Sequence, residues 1–356
     1  MSHRYDKLAL GVDGGGTKSD AVLINESGSV LGWGRSGTGQ AFWAGRKAAQ
    51  EAYAEAIRMA LGKRRPHAVW VAGVHRSTFD GMNLHVSEPH FVECRELSMG
   101  LAMALQTHGL LVLSGTGAFV AGQKENGGTL TLDGIGPVLG DHGSGYQIGL
   151  MGMRAAMASS WAPERQTVLG QLVPQGLGVS TLEDMFSLVY TQGIGRSHIA
   201  SVAKAVIRAA EDGDSIARKI IVQAADDISD VLAHVIRRLC LEDSDYALVA
   251  SGGIAQNSEM YWGRICERAL EIAPRLRPIR PKVRPCVGAA LLALKAMGVA
   301  WTRKLLSRIE KTQQPHLAKL EKSEEAVPPL AQKSSRAINL EYTAHGPWLR
   351  GDIPED

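Results

Sequence analysis

The stretch Leu8-Ala-Leu-Gly-Val-Asp-Gly-Gly-Gly-Thr-Lys-Ser-Asp-Ala-Val-Leu-Ile24 decides the fold. It reads as strand, glycine turn, strand, with an acid where the first strand ends. The run before Asp13 is short, apolar and bounded by glycines, the pattern of a buried strand. Gly14, Gly15 and Gly16 allow φ > 0 and a close approach of backbone to a ligand. Thr17 and Lys18 bring a hydroxyl and a cation to the turn, and Val22 and Ile24 resume the strand. Such a hairpin can aim backbone N–H groups at phosphate oxygens, with Asp13 beside them to hold a hydrated Mg²⁺. The spacing is neither that of a Walker A loop nor that of a dinucleotide fingerprint, since no helix pattern follows the glycines. Taken alone, the segment also reads as a plain hairpin turn with three glycines.

Two further segments have the same design. Leu110-Leu-Val-Leu-Ser-Gly-Thr-Gly117 is a second buried strand ending in a small hydroxylated turn, and Tyr246-Ala-Leu-Val-Ala-Ser-Gly-Gly-Ile-Ala-Gln-Asn257 runs through Gly-Gly toward a helix. In this order the three units resemble the phosphate 1, phosphate 2 and adenosine motifs of the superfamily of sugar kinases, heat-shock ATPases and actin. With Gly140-Asp-His-Gly-Ser-Gly-Tyr146 and Cys286-Val-Gly-Ala-Ala-Leu-Leu-Ala-Leu294, the chain resembles the BadF/BadG/BcrA/BcrD ATPase group, which includes N-acetylglucosamine kinases. The resemblance spans roughly residues 8–298.

That resemblance implies an α/β, two-domain ribonuclease H-like (actin-like) ATPase fold. Mixed β-sheets flanked by helices would enclose a nucleotide cleft between the domains. It implies ATP and Mg²⁺ as cofactors. Gly14, Gly15, Gly16, Thr17, Lys18, Gly115, Thr116 and Gly117 would surround the phosphates, and Gly252, Gly253 and Asn257 the adenosine, with Asp13 as the metal partner. Asn257 equally suits a helix N-cap. On the acceptor side the matching positions are Gln40, Glu96, Gly134, Ile135, Gly136 and Asp141. The implied domains are residues 1–110 and 111–286, a helix at 287–308 returning to the first domain, and a polar tail at 312–356.

The resemblance also implies a base that takes the proton from the attacking hydroxyl. N-acetylglucosamine kinases carry an Asp there; here Phe91-Val-Glu-Cys-Arg-Glu-Leu97 puts Glu96 at that position. Arg95 beside it is expected to hold Glu96 ionised and lower its basicity. The alternative is a charged helix start, where Glu complements the dipole. Other departures concern the acceptor side: Gln40 in place of an Asn, Ala118 and Phe119 in place of polar residues, His142 in place of a Glu, and Gln147 in place of an aromatic. His142 reads as a loop residue bonded to backbone. Asp141 is retained and could accept from two sugar hydroxyls.

Composition narrows the alternatives. The chain has 356 residues, 45% of them hydrophobic, 40 glycines and a net charge of +3, enough for two ordinary domains. No basic block with interleaved aromatics points to nucleic acid. No apolar run approaches the ~18 residues of a membrane span, and no signal peptide precedes the first strand. Cys94, Cys240, Cys266 and Cys286 are isolated, which suggests buried free thiols in a reducing cytoplasm.

The expected elements are a β-meander over 7–36 and a helix over Trp43–Leu61. Strands follow at Ala68–Ala72 and His90–Cys94, with a helix over Leu97–Leu105. A glycine-rich hairpin occupies Gly122–Gly136, and helices cover Ser144–Ser159, Asp214–Leu239 and Asn257–Ile272. A last helix should run from Pro285 to about Leu306, and the charged sequence from Thr312 should lack a core of its own unless Trp348 anchors it.

Three functions remain: an ATP-dependent sugar or amino-sugar kinase, a nucleotide-binding regulator with weakened transfer, and an ATPase activator carrying an iron–sulfur cluster. The partners expected are a small-molecule sugar and, by resemblance, a second copy in a homodimer.

Overall fold

The computed structural model describes residues 7–325. The first sheet contains β1 (Leu8–Gly14), β2 (Ser19–Asn25), β3 (Val30–Ser36), β4 (Ala68–Ala72) and β5 (Glu88–Val92), in the order β3-β2-β1-β4-β5. The second contains β6 (Gly109–Ser114), β7 (Ala118–Gln123), β8 (Thr129–Asp133), β9 (Ala247–Ser251) and β10 (Arg277–Ile279), in the order β10-β9-β6-β7-β8. The two sheets share one topology: an antiparallel meander of three strands, then two strands parallel to the first of them.

Alternating side chains divide each sheet between two cores. Leu10, Val12, Ala21 and Leu23 face the Arg46–Leu61 helix. Ala9, Val22 and Ile24 face the Pro285–Ala296 helix. Glycine lets this helix press close to its neighbours: a Cβ on Gly11 of the sheet would sit 2.0 Å from the Cys286 carbonyl oxygen, and one on Gly288 would sit 2.1 Å from the Met99 carbonyl oxygen of the Glu96–Ala102 helix. In the second sheet, Leu110, Val112, Val120 and Leu248 pack under a helical layer that includes Ser215–Leu239 and Glu259–Ile272.

The Glu96–Ala102 helix joins the two halves. Met99 and Ala102 pack into the core beneath the first sheet, while Leu101 packs with Leu111, Phe119 and Val249 of the second. Its first residue, Glu96, therefore stands where the two sheets meet.

The C-terminal reading needs correction. The helix from Pro285 ends at Ala296, and Gly298, at φ 83°, turns the chain into a second helix, Arg303–Glu325. The sequence expected to turn polar at Thr312 continues that helix instead. Leu305 and Ile309 are buried against the first sheet's core, with Leu317 and Leu320 packed beside them. Thr312 Oγ1 accepts from Val30 N at 3.0 Å, and Gln313 Nε2 donates to the Lys282 carbonyl at 2.9 Å. This docking outweighs Pro315, which costs a helix interior about 3 kcal/mol. Trp348 and the rest of 326–356 lie outside the described residues.

The cysteines also differ from expectation. Cys286 is buried and Cys94 and Cys266 are half-buried, but Cys240 is exposed because it caps the Ser215–Leu239 helix in a left-handed conformation, φ 53°. Among the described residues, no helix is long and apolar enough to cross a membrane.

Candidate active site

The three glycine turns meet at one place. Thr17 and Thr116 approach from different sheets until their hydroxyls share a hydrogen bond of 2.5 Å. A Cβ on Gly16 would sit 3.4 Å from Gln40 Oε1 and 3.8 Å from the Thr116 side chain. A Cβ on Gly115 would lie 3.9 Å from Gly252 Cα, and one on Gly252 only 2.3 Å from the Ser114 carbonyl. Residues separated by up to 236 positions in sequence thus line one cradle, and added side-chain atoms would fill it.

The reason for the first glycines differs from the sequence expectation. None of Gly14, Gly15 and Gly16 has a left-handed φ, whereas Gly252 does, at 84°. Gly14 is required by contact, since its Cβ would fall 1.9 Å from Tyr53 Oη. The turn closes through Gly15 N donating to the Lys18 carbonyl at 2.8 Å, and Thr38 Oγ1 donates to the Gly15 carbonyl at 3.0 Å.

The second turn rests on the loop before the Gly145–Ala158 helix. Ser114 Oγ and Tyr261 Oη both donate to the Gly143 carbonyl, at 2.6 and 2.7 Å. Gly145 N donates to the Gly115 carbonyl at 2.7 Å, and Ser144 Oγ caps the helix by accepting from Gln147 N. Gln147, unusual in sequence, is a fastener: its Oε1 accepts from Gly143 N at 2.5 Å and its Nε2 donates to Asp227 at 2.6 Å.

Carboxylates gather on the first-sheet side. Asp13 and Asp20 are paired across β1 and β2, so both project to the same face. Asp20 is neutralised: Arg35 grips it with Nε at 2.8 Å and a second nitrogen at 2.7 Å, Trp33 donates at 3.1 Å, and Arg284 stands 3.8 Å away. Asp13 has weaker compensation. Burial, and then repulsion from Asp20 and Glu96, push its pKa up to about 7 against the pull of Lys18. The same surroundings push the Tyr53 phenol up to about 12.

Glu96 is the first residue of its helix, and burial of its carboxyl raises its pKa. Arg95 does not hold it ionised, contrary to expectation: the guanidinium turns outward to Glu93 at 3.5 Å, and both side chains are exposed. The helix start itself is closed by Ser98 Oγ, which accepts from Arg95 N at 3.0 Å.

Several other predicted positions have definite partners. Asp141 is buried, and its oxygens are taken by Arg196 and, at 3.4 Å, by Gly136 N. These contacts tie it to the 134–142 loop; burial raises its pKa and Arg196 opposes the rise. Asp133 completes that loop by accepting from the N–H groups of Gly134, Asp141 and His142 at 2.6–2.8 Å and meeting His142 Nδ1 at 3.0 Å. His142 is therefore a loop residue, held by a carboxylate as well as through its backbone. Gly134 and Gly136 take φ of 75° and 93°, and Ile135 projects into solvent. Asn257 does not cap the following helix: Ser258 does, while Asn257 Nδ2 donates back to the Gly253 carbonyl at 2.7 Å, leaving the residue exposed next to the Gly252 turn. Lys18, Gly117 and Gly253 lie on the turns that form the cradle.

Sequence reasoning missed Tyr53, Asp133, Arg196 and the Asp20 cluster. Arg196 opens a short helix after Gly-Ile-Gly with no motif around it. Asp20 alone had a readable signal, since an acid in an otherwise apolar buried strand demands a partner.

A pocket of about 330 Å³ adjoins Glu96, lined by Arg95, Ser98, Phe119, Gln123, Thr129, Thr131 and Gly134 among others.

The chain is similar in sequence and fold to several known proteins. An N-acetyl-D-glucosamine kinase of Dictyostelium discoideum is 25% identical over 321 residues, covering 82% of this chain and 98% of its own. An N-acetylmuramic acid/N-acetylglucosamine kinase of Clostridium acetobutylicum is 27% identical over 185 residues, 52% of this chain and 60% of its own. A Porphyromonas gingivalis structure assigned as an N-acetylglucosamine kinase superposes with a TM-score of 0.60 at 17% identity, covering 82% of this chain and 99% of that one, and so shares the fold. The family profile matches residues 10–293, and the chain belongs to the BadF/BadG/BcrA/BcrD ATPase family.

Proposed function

We propose that this protein transfers the γ-phosphoryl group of ATP to a hydroxyl of a sugar or amino sugar, with an acceptor of the N-acetylglucosamine type. The observation that carries the reading is the junction of Thr17, Thr116, Gly16 and Gly252 with Asp13 and Glu96 beside it. The two kinases named above act on N-acetylated amino sugars, which supports the acceptor class.

Phosphoryl transfer needs positioning and charge stabilisation more than covalent help. The Thr17 and Thr116 hydroxyls would each donate to phosphate oxygens, replacing the bond they now make to each other. Backbone around Gly15, Gly16, Gly115 and Gly117 would cradle the β- and γ-phosphates, with Lys18 adding positive charge. Gly252, Gly253 and Asn257 would take the adenosine. A carboxylate pushed to a pKa of about 7 by burial and by repulsion from Asp20 and Glu96 suits a divalent cation, so Asp13 is the residue that would hold Mg²⁺, directly or through water. The cation would supply charge neutralisation of the phosphates.

Glu96 is the proposed base. The acceptor oxygen attacks the γ-phosphorus, the bond from that phosphorus to the β–γ bridging oxygen breaks, and ADP departs. The hydroxyl proton passes to the Glu96 carboxylate. A raised pKa strengthens that carboxylate as a base and brings it nearer neutral operating pH. Gln40, whose Oε1 stands beside Gly16, would contact the acceptor near the phosphates.

The test is ADP release from ATP across monosaccharides, amino sugars and polyols. A hydroxyl-bearing sugar that stimulates release and is recovered phosphorylated is the expected result. No stimulation by any acceptor contradicts the reading.

A further inference from the structure

We infer that the acceptor is longer than one sugar ring and that Gln123, Thr129 and Thr131 recognise its second unit; this rests on the kinase reading above. The roughly 330 Å³ pocket that starts at Glu96 and Gly134 does not stop there. It follows one face of the β7–β8 hairpin. On that face Phe119 is paired with Asp133, Ala121 with Thr131, and Gln123 with Thr129. The first turn of the Glu96–Ala102 helix, with Leu97 and Ser98, forms the opposite wall.

From the Phe119–Asp133 pair to the Gln123–Thr129 pair is four residues of strand, or about 13 Å at ~3.3 Å per residue. A single pyranose placed with a hydroxyl at Glu96 does not reach the far end. The chemistry along the strip changes with distance. Nearest the phosphate turn its floor is Phe119, 9% exposed, and buried Ala121, with the Asp133 carboxylate already engaged by its own loop. Farther out it carries two hydroxyls and an amide. Thr129 and Thr131 are exposed, and among the described residues no hydrogen bond engages these three side chains. The polar groups expected just after the second phosphate turn, where Ala118 and Phe119 stand, are thus supplied one ring farther along the hairpin. An apolar floor suits the carbon face of a first sugar ring, and the hydroxyl and amide groups suit the oxygens of a second.

A Thr129→Val/Thr131→Val double variant tests this, because Val keeps the shape and strand preference while removing the hydroxyls. Calorimetry on the full chain with ADP and Mg²⁺ compares N-acetylglucosamine with its β-1,4-linked dimer. The dimer should bind the wild type about ten-fold tighter than the monomer, as two added net hydrogen bonds allow. In the double variant the advantage should fall below about three-fold with monomer affinity unchanged, a loss of at least about one such bond. Equal affinities in the wild type, or an advantage that survives in the variant, overturn the inference. Phosphate transfer to the monomer, run in parallel, separates the two levels. Turnover of the monomer without preference for the dimer refutes only the extension. Absence of both binding and turnover with either sugar refutes the extension, and it refutes the kinase reading too when no acceptor in the ADP-release screen stimulates turnover.

Discussion

The hydroxyls of Thr17 and Thr116, 99 positions apart in sequence, meet in a 2.5 Å hydrogen bond that spans the two sheets. Each sits on a glycine turn at the end of a meander's first strand, and the meanders share one topology. The bond therefore marks the axis of the cradle, and under the proposed function a phosphate group would exchange it for two bonds of its own.

Thr17→Val and Thr116→Val should each weaken ATP binding. A hydrogen bond to a charged phosphate oxygen contributes about 1.5–3 kcal/mol, so affinity should drop roughly 10- to 100-fold. The double variant should lose more than the product of the two, because each single change already removes the hydroxyl–hydroxyl bond that ATP must break, and the double variant gains that relief only once. Titration calorimetry reads both effects.

Asp13 gives a pH signature. Its pKa rises from 3.8 to about 7 on folding, so the folded protein binds the extra proton. This stabilising contribution is complete below about pH 4 and is lost as pH rises through about 7. Thermal melts of the wild type should show stability falling across that window, and Asp13→Asn should flatten the slope. ATP–Mg²⁺ binding near neutral pH should release a proton, visible as a buffer-dependent binding enthalpy that Asp13→Asn abolishes. Equal enthalpies in buffers of different ionisation heat would contradict the assignment of Asp13 to the cation.

Ile309 tests the C-terminal helix. It is fully buried at the first sheet's core, beside Leu305. Ile309→Ala should cost about 2–5 kcal/mol, as removal of buried aliphatic carbon does. A chain ending at Trp301 should lose still more, seen as a large fall in melting temperature. A chain ending at Gln313 should melt measurably earlier as well, since Leu317 and Leu320 are then missing from that core.

The strand-turn-strand of 8–24, the turn at Ser114–Gly117 and the helix opening at Ser144 were legible because their signals are local: apolar runs, small residues and a capping hydroxyl. The site's order was less so. The Asp141–Arg196 pair joins a loop to a short helix 55 positions away, and nothing near either residue announces the other. The need for glycine at Gly14 comes from Tyr53, a contact made by tertiary packing rather than by a turn's dihedral angles. Charge and Pro315 hid the Arg303–Glu325 helix, because its apolar positions are sparse and only docking reveals that they share a face. Arg95 misled for a related reason: adjacency in sequence suggested a pair with Glu96, but at the helix start the two side chains diverge.

Glu96 carries the central claim, and its substitution is the most direct measurement. With an acceptor that supports turnover, kcat and ATP affinity are compared for wild type, Glu96→Gln and Glu96→Asp. Loss of a general base lowers rate by about 10²- to 10⁴-fold, so Glu96→Gln should fall by that factor with ATP affinity held. Glu96→Asp, which keeps a carboxylate at the helix start, should retain far more of the rate. Full turnover by Glu96→Gln would contradict the account and place the base elsewhere.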